Sequence, residues 1–151
     1  MVAHAIPEEA VIAAARSPAT MVGSDGGLSA GVGHPRSAGT FARILGRYVR
    51  EKAVLGLNDA IEKMTLRPAR RFEQRCPRFK KKGRLQVGMD ADITIFDPAT
   101  VIDNATFAHP DRASTGFTFV LVGGAPVVVN GELLDTLPGM GLRGRVRPAV
   151  R

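Results

Sequence analysis

A chain of 151 residues, 44% hydrophobic and 23% charged, has the make-up of one ordinary water-soluble domain and can withdraw roughly 68–70% of its unfolded surface from water. The longest early apolar run, Ala10 to Ala15, is too short to span a bilayer and follows Glu8 and Glu9 where an export signal would be basic, so a cytoplasmic chain is expected. The net charge of +7 is concentrated between Arg67 and Arg84, where nine basic residues face Glu73 alone, and the run reads as a solvated connector or helix face.

In chain order, EEAVIAAARS after Pro7 has acids at its front and Arg16 near its end, the polarity a helix dipole favours; it predicts a short helix closed by Pro18. Ala19 to Val22 then reads as a buried strand running into Gly23-Ser24-Asp25-Gly26-Gly27, which would deliver a polar group at a strand end. The glycine-rich loop continues to about Gly39, a length that points to function. No Gly-Lys-Ser/Thr follows its glycines, so it is not a phosphate loop. Phe41, Ile44, Leu45, Tyr48 and Val49 form one apolar stripe and predict a helix from Phe41. Past Gly56, Leu57, Ala60, Ile61 and Met64 form a second stripe that ends or kinks before Pro68, where a third short helix is expected to begin. Cys76 has no partner for a disulfide or a Cys-x-x-Cys pair and reads as an incidental loop thiol. Beyond the basic run the period becomes two, with Ala91, Ile93 and Ile95 on one face and Asp92, Thr94 and Phe96 on the other, until Asp97-Pro98 stops the strand. FTFVLV and PVVV flank Gly123-Gly124-Ala125 as a hairpin and Asn130-Gly131 signals another, while Pro138 to Arg151 is expected to be loosely held.

This order of motifs, GSDG at a strand end, HPRSAGTF in the loop, ARILGRYVRE in the helix and AIEKMTLRPARRF after it, resembles the end of the barrel of metal-dependent amidohydrolases of the N-acyl-D-amino-acid deacylase (D-aminoacylase) type. GRLQVGMDADITIFDPATV resembles the segment that returns such chains to a small β-sandwich, and FVLVGGAPVVVNGEL resembles its closing hairpin. The resemblance covers Met21 to about Gly141. It implies an α/β fold, the end of a (β/α)8 barrel in residues 1–83, a composite β-sandwich segment in 84–137 and a tail in 138–151, the barrel being incomplete because a whole one needs about 250 residues.

The same resemblance implies hydrolysis of the amide C–N bond of N-acyl (D-)amino acids, a small-molecule substrate. Asp25 would be both metal ligand and catalytic proton acceptor, and Arg36, with His34 beside it, would hold the substrate carboxylate. Local sequence alone would read Asp25 as a turn cap and Arg36 as a surface arginine, with Ser24 and Gly26 shaping the turn. Zinc in a catalytic site takes about three protein ligands. His4, His34 and His109 stand isolated and no His-x-His is present, so only Asp25 carries over as a ligand, and His4 and His109 read as structural or exposed. Zinc is therefore expected in the complete enzyme but not stably on this chain alone, which should be inactive without an N-terminal barrel segment. Competing readings are a non-catalytic structural remnant and a weak, sequence-indifferent nucleic-acid binder using residues 67–84, where only Phe72 and Phe79 offer stacking faces. Neither a specific nucleic acid nor a membrane is an expected partner.

Overall fold

Glu8 to Arg16 form the first helix (α1), with Glu8 and Glu9 in its first turn and Arg16 in its last, as the charge order predicts. The computed structural model describes residues 6–144; His4 and the part of the tail beyond 144 lie outside them. The chain divides into two units, one formed by Met1–Met64 with Asp97–Gly116 and the other by Thr65–Phe96 with Phe117–Arg151. No helix of the described residues is long and apolar enough to cross a membrane.

In the first unit, the expected strand at Ala19 to Val22 is absent: no ladder forms there, and the Val22 N–H bonds instead to the Lys63 carbonyl at 3.1 Å. A strand is defined by paired backbone, and apolar composition alone cannot supply the partner. The glycine-rich loop carries a small ladder of Leu28–Ser29 (β1) and Val32–Gly33 (β2). The next helix starts five residues earlier than its stripe suggests, at Arg36, because Pro35 sets the entry and small residues fill its first turns; it spans Arg36–Arg43 (α2). From Ile44 to Glu51 it continues as a wider π-helical stretch, with the Lys52 N–H reaching the Arg47 carbonyl at 2.9 Å. Ala42, Leu45 and Tyr48 are buried, whereas Phe41 of the expected stripe is exposed.

That rotation follows from two glycines on the packed face. A Cβ at Gly39 would lie 3.0 Å from Asp103 Cβ, and one at Gly46 would lie 2.6 Å from the Val101 carbonyl oxygen, so residues 101–103 approach the helix backbone directly. Arg43 secures the approach through Asp103 Oδ2 at 3.0 Å, and Arg50 donates to the Val101 carbonyl at 2.6 Å. Burial opposes charge on Arg43, but the hydrogen bond and charge of Asp103 raise its pKa. Leu57–Met64 (α3) buries Ala60 and, unexpectedly, Lys63. The Lys63 ammonium donates to the Ser17 and Thr20 carbonyls and to Thr20 Oγ1, so it clamps the turn after α1.

In the second unit, Leu66–Glu73 (α4) begins two residues before Pro68, which sits in the first turn where its missing N–H costs nothing. A 3₁₀ turn follows over Pro77–Lys81. Cys76 lies in the loop before this turn, as expected, but it is buried, and its Sγ donates to the Arg143 carbonyl at 3.2 Å. A four-stranded antiparallel sheet runs in the order β3-β4-β5-β6, formed by Ile93–Phe96, Phe117–Val122, Ala125–Val129 and Glu132–Leu133. Both expected hairpin turns are present, with positive φ at Gly123 and Gly124 and at Asn130 and Gly131, as two-residue primed turns require. The alternation expected along β3 fails at its end. The pairing shifts between Ile95 and Phe96, which leaves Ile95 exposed and turns Phe96 toward Phe117.

Candidate active-site loop

The glycine-rich loop and the start of α2 bring Asp25, His34 and Arg36 together. Asp25 adopts a left-handed backbone, φ 46°, a conformation Asp tolerates better than most residues. Gly26 follows because nothing larger fits: a Cβ there would stand 2.6 Å from Ser37 Cα. Ser37 then closes the turn with two bonds, its Oγ accepting from the Gly27 N–H at 2.9 Å and donating to the Gly27 carbonyl at 3.0 Å. Ser24 Oγ accepts a longer bond, 3.4 Å, from the Gly26 N–H, in keeping with the turn-shaping part expected of both residues.

Arg36 grips Asp25 at two points. Its Nε donates to the Asp25 carbonyl at 2.7 Å, and its Nη2 lies 2.8 Å from Oδ2 of the carboxylate. The Asp25 side chain nevertheless remains 90% exposed and that of Arg36 45%, so the pair adds little stability by itself and stays open to another reactant. His34 both caps and packs. Its Nδ1 accepts from the Arg36 N–H at 3.1 Å, and its ring meets Phe107 edge-on at 5.1 Å between centroids. His109, by contrast, is exposed and its backbone closes a turn with Thr106.

Sequence reasoning missed Ser37 and Phe107. The only local hint of Ser37 was a serine just inside a helix start; Phe107 comes from a segment seventy positions away from it, with no motif to announce it. The arrangement offers a carboxylate able to take a proton and, beside it, a planar cation able to fix an acid.

The Amidohydrolase family matches residues 4–128. This chain belongs to that family, which bears out the resemblance seen in GSDG, HPR and LGRYVRE. Among known proteins it is 46% identical over 108 residues to a D-aminoacylase of Alcaligenes xylosoxydans xylosoxydans, covering 72% of this chain and 21% of that one. It is 49% identical over 107 residues to an N-acyl-D-glutamate deacylase of the same organism, covering 71% and 21%. The chain thus spans about a fifth of the length of these curated relatives. Among solved structures, a D-aminoacylase that defines a novel subset of amidohydrolases superposes with a TM-score of 0.77 at 39% identity, over 87% of this chain and 27% of that one. The N-acyl-D-glutamate deacylase from Bordetella bronchiseptica, complexed with zinc and a phosphonate mimic of the tetrahedral intermediate, gives 0.74 at 45% identity, over 81% and 25%. These neighbours share the α/β make-up of the chain.

The metal of such relatives can be tested against the donors present. Among the described residues, no three His, Cys, Asp or Glu side chains converge as a metal centre. Asp25 Oδ2 is engaged by Arg36, and His34 directs Nδ1 to the backbone. These residues do not by themselves fit a zinc ion, whose catalytic sites take about three protein ligands.

Proposed function

We propose that this chain forms the terminal part of a deacylase that hydrolyses the amide C–N bond of N-acyl amino acids, D-amino acid derivatives foremost. In this reading residues 1–83 belong to the end of the barrel and 84–137 to the composite sandwich, and zinc is bound in the complete enzyme with ligands additional to Asp25. Asp25 accepts a proton from the water that adds to the amide carbonyl and returns it to the departing nitrogen, breaking the C–N bond and leaving a carboxylic acid and an amine, which exchange the remaining proton to become carboxylate and ammonium. Arg36 holds the free carboxylate of the substrate through its fork of donors, with His34 fixing the backbone from which Arg36 projects. The observation that carries the reading is the 2.8 Å approach of Arg36 Nη2 to Asp25 Oδ2, within the residues 4–128 that match the Amidohydrolase family. An acid held by one residue presents its neighbouring amide to the other.

The test joins this chain to the part of a D-aminoacylase that it does not cover and assays N-acyl-D-amino acids. The chain alone is expected to show no turnover and no stoichiometric zinc, and the joined protein to be active. Asp25→Asn should then lower turnover by roughly 10²–10⁴. Arg36→Lys keeps the charge but loses the fork, so it should raise KM for substrates bearing a free carboxylate more than for amides without one. Near-normal turnover in Asp25→Asn overturns the catalytic role; an equal effect of Arg36→Lys on both substrate types overturns the carboxylate contact; one zinc held tightly by the isolated chain overturns the division of ligands.

A further inference from the structure

The basic run is not wholly used by the fold. Lys82 pairs with Asp90 at 3.0 Å and with Asp92, whose other oxygen accepts from the Gly123 N–H at 2.8 Å, which ties the end of the run to the β4–β5 turn. Arg84 pairs with Glu73 and donates to the Lys82 carbonyl at 2.9 Å. The acids close in sequence to the run are thereby taken by these two cations. Arg71, Arg75, Arg78, Lys80 and Lys81 remain exposed. Arg71 and Arg75 are four apart on α4 and the turn that prolongs it, and Arg78 and Lys81 are three apart on the 3₁₀ turn, where residues at that spacing eclipse one another. Arg78 and Lys81 also line a shallow depression of about 300 Å³ with Pro77 and Asp90. Next to them Phe72 is half-exposed and tilted against Phe79 at 5.2 Å between ring centroids.

We infer that this segment, five exposed cations between Arg71 and Lys81 with the half-exposed Phe72 ring beside Arg71 in sequence, binds single-stranded nucleic acid through its phosphate backbone without reading sequence. Charge complementarity to a phosphodiester strand is direct, the short helices fix the backbone from which the cations project, and one exposed aromatic face gives a base something to stack on. A membrane surface fits less well. An interfacial helix needs a broad apolar face free to enter the lipid, whereas on α4 Ala69 is buried, Leu66 is half-buried and Phe72 is its one exposed large apolar side chain. This binding does not rest on the deacylase reading, and failure of either leaves the other standing.

The experiment titrates the 151-residue chain into fluorescein-labelled oligothymidylate of about 20 nucleotides, longer than the roughly 4–16 that one single-strand binding fold covers, across salt concentrations. Each phosphate neutralised adds about −0.7 to the slope of log affinity against log salt, so five contacts contribute about −3.5, or about a hundredfold loss between about 50 and 200 mM salt. Replacing all five cations by Gln should shrink the slope by about 3.5, and Arg78→Gln alone by about 0.7, while Arg112→Gln, on the other unit, leaves it unchanged. Far-ultraviolet circular dichroism checks that each variant is folded, and the single variant keeps the test alive should the fivefold one not be. Absence of binding, binding indifferent to these substitutions, or binding to phosphatidylserine vesicles but not to the oligonucleotide would each overturn the inference.

Discussion

Gly116 and Gly88 have nearly the same backbone, φ +87° and +83°, and opposite surroundings, which makes Ala at each a controlled pair. Both substitutions force a side chain into a conformation L residues avoid, a cost of about 1 kcal/mol. At Gly88 nothing lies within 4 Å of the new Cβ, so the cost should end there. At Gly116 the Cβ would stand 2.4 Å from Val101 Cα and 2.5 Å from Val101 N, atoms that cannot rotate aside. Val101 is fully buried, its N–H is bonded to the Asp97 carbonyl at 2.9 Å, and the Gly116 carbonyl accepts from the Asp97 N–H at 2.9 Å. Making room means prising apart this crossing and the adjoining Ile102–Thr115 bridge, which adds about 2 kcal/mol by the usual scale of overpacking. With a urea m-value of about 2 kcal/mol/M, Gly116→Ala should lower the midpoint by about 1.5 M and Gly88→Ala by about 0.5 M. Far-ultraviolet circular dichroism is the assay, since the chain has no Trp and a single Tyr. Equal shifts in the two variants would refute the steric argument.

Lys63→Met keeps an unbranched stem but leaves the Ser17 and Thr20 carbonyls without their buried donor, so a loss of about 2–3 kcal/mol is expected in urea unfolding; a loss under about 0.5 kcal/mol would mean the clamp is idle. The Asp92–Lys82 pair predicts two pH windows. The Lys82 hydrogen bond holds Asp92 below its usual 3.8, so its contribution is present above that value and fades as pH falls through the lowered one. Burial works against charge on Lys82, but its bonds to Asp92 and Asp90 raise it above 10.5; its contribution is full below 10.5 and fades as pH rises through the raised value. Asp92→Asn should flatten the acid limb of a stability–pH curve and weaken the alkaline one, and an unchanged acid limb would count against the pairing.

Much of the chain's local structure was legible without coordinates. Acids before alanines before Arg16 specify α1, and Gly123-Gly124 and Asn130-Gly131 specify their hairpins, because each signal depends on backbone conformations that few residues adopt. The family was legible too, since GSDG, HPR and LGRYVRE occur in order within the 4–128 match. Asp25 and Arg36 could be named as candidates but not joined, for the distance between residues eleven apart depends on a turn whose closure by Ser37 is a tertiary event.

What the sequence by itself determined, then, is element type wherever periodicity or a special φ acts within a few residues, together with the family. Tertiary structure alone decided which faces are buried and which polar groups meet. The helix through Gly39 and Gly46 turns Phe41 outward because residues 101–103, some sixty positions away, pack on its glycines. Lys63 is buried although charged, because two carbonyls of the turn after α1 await its ammonium. Ile95 is exposed because β3 slips by a bulge against β4. In each case the deciding interaction lies between segments distant in sequence, where hydrophobic pattern carries no information about the partner.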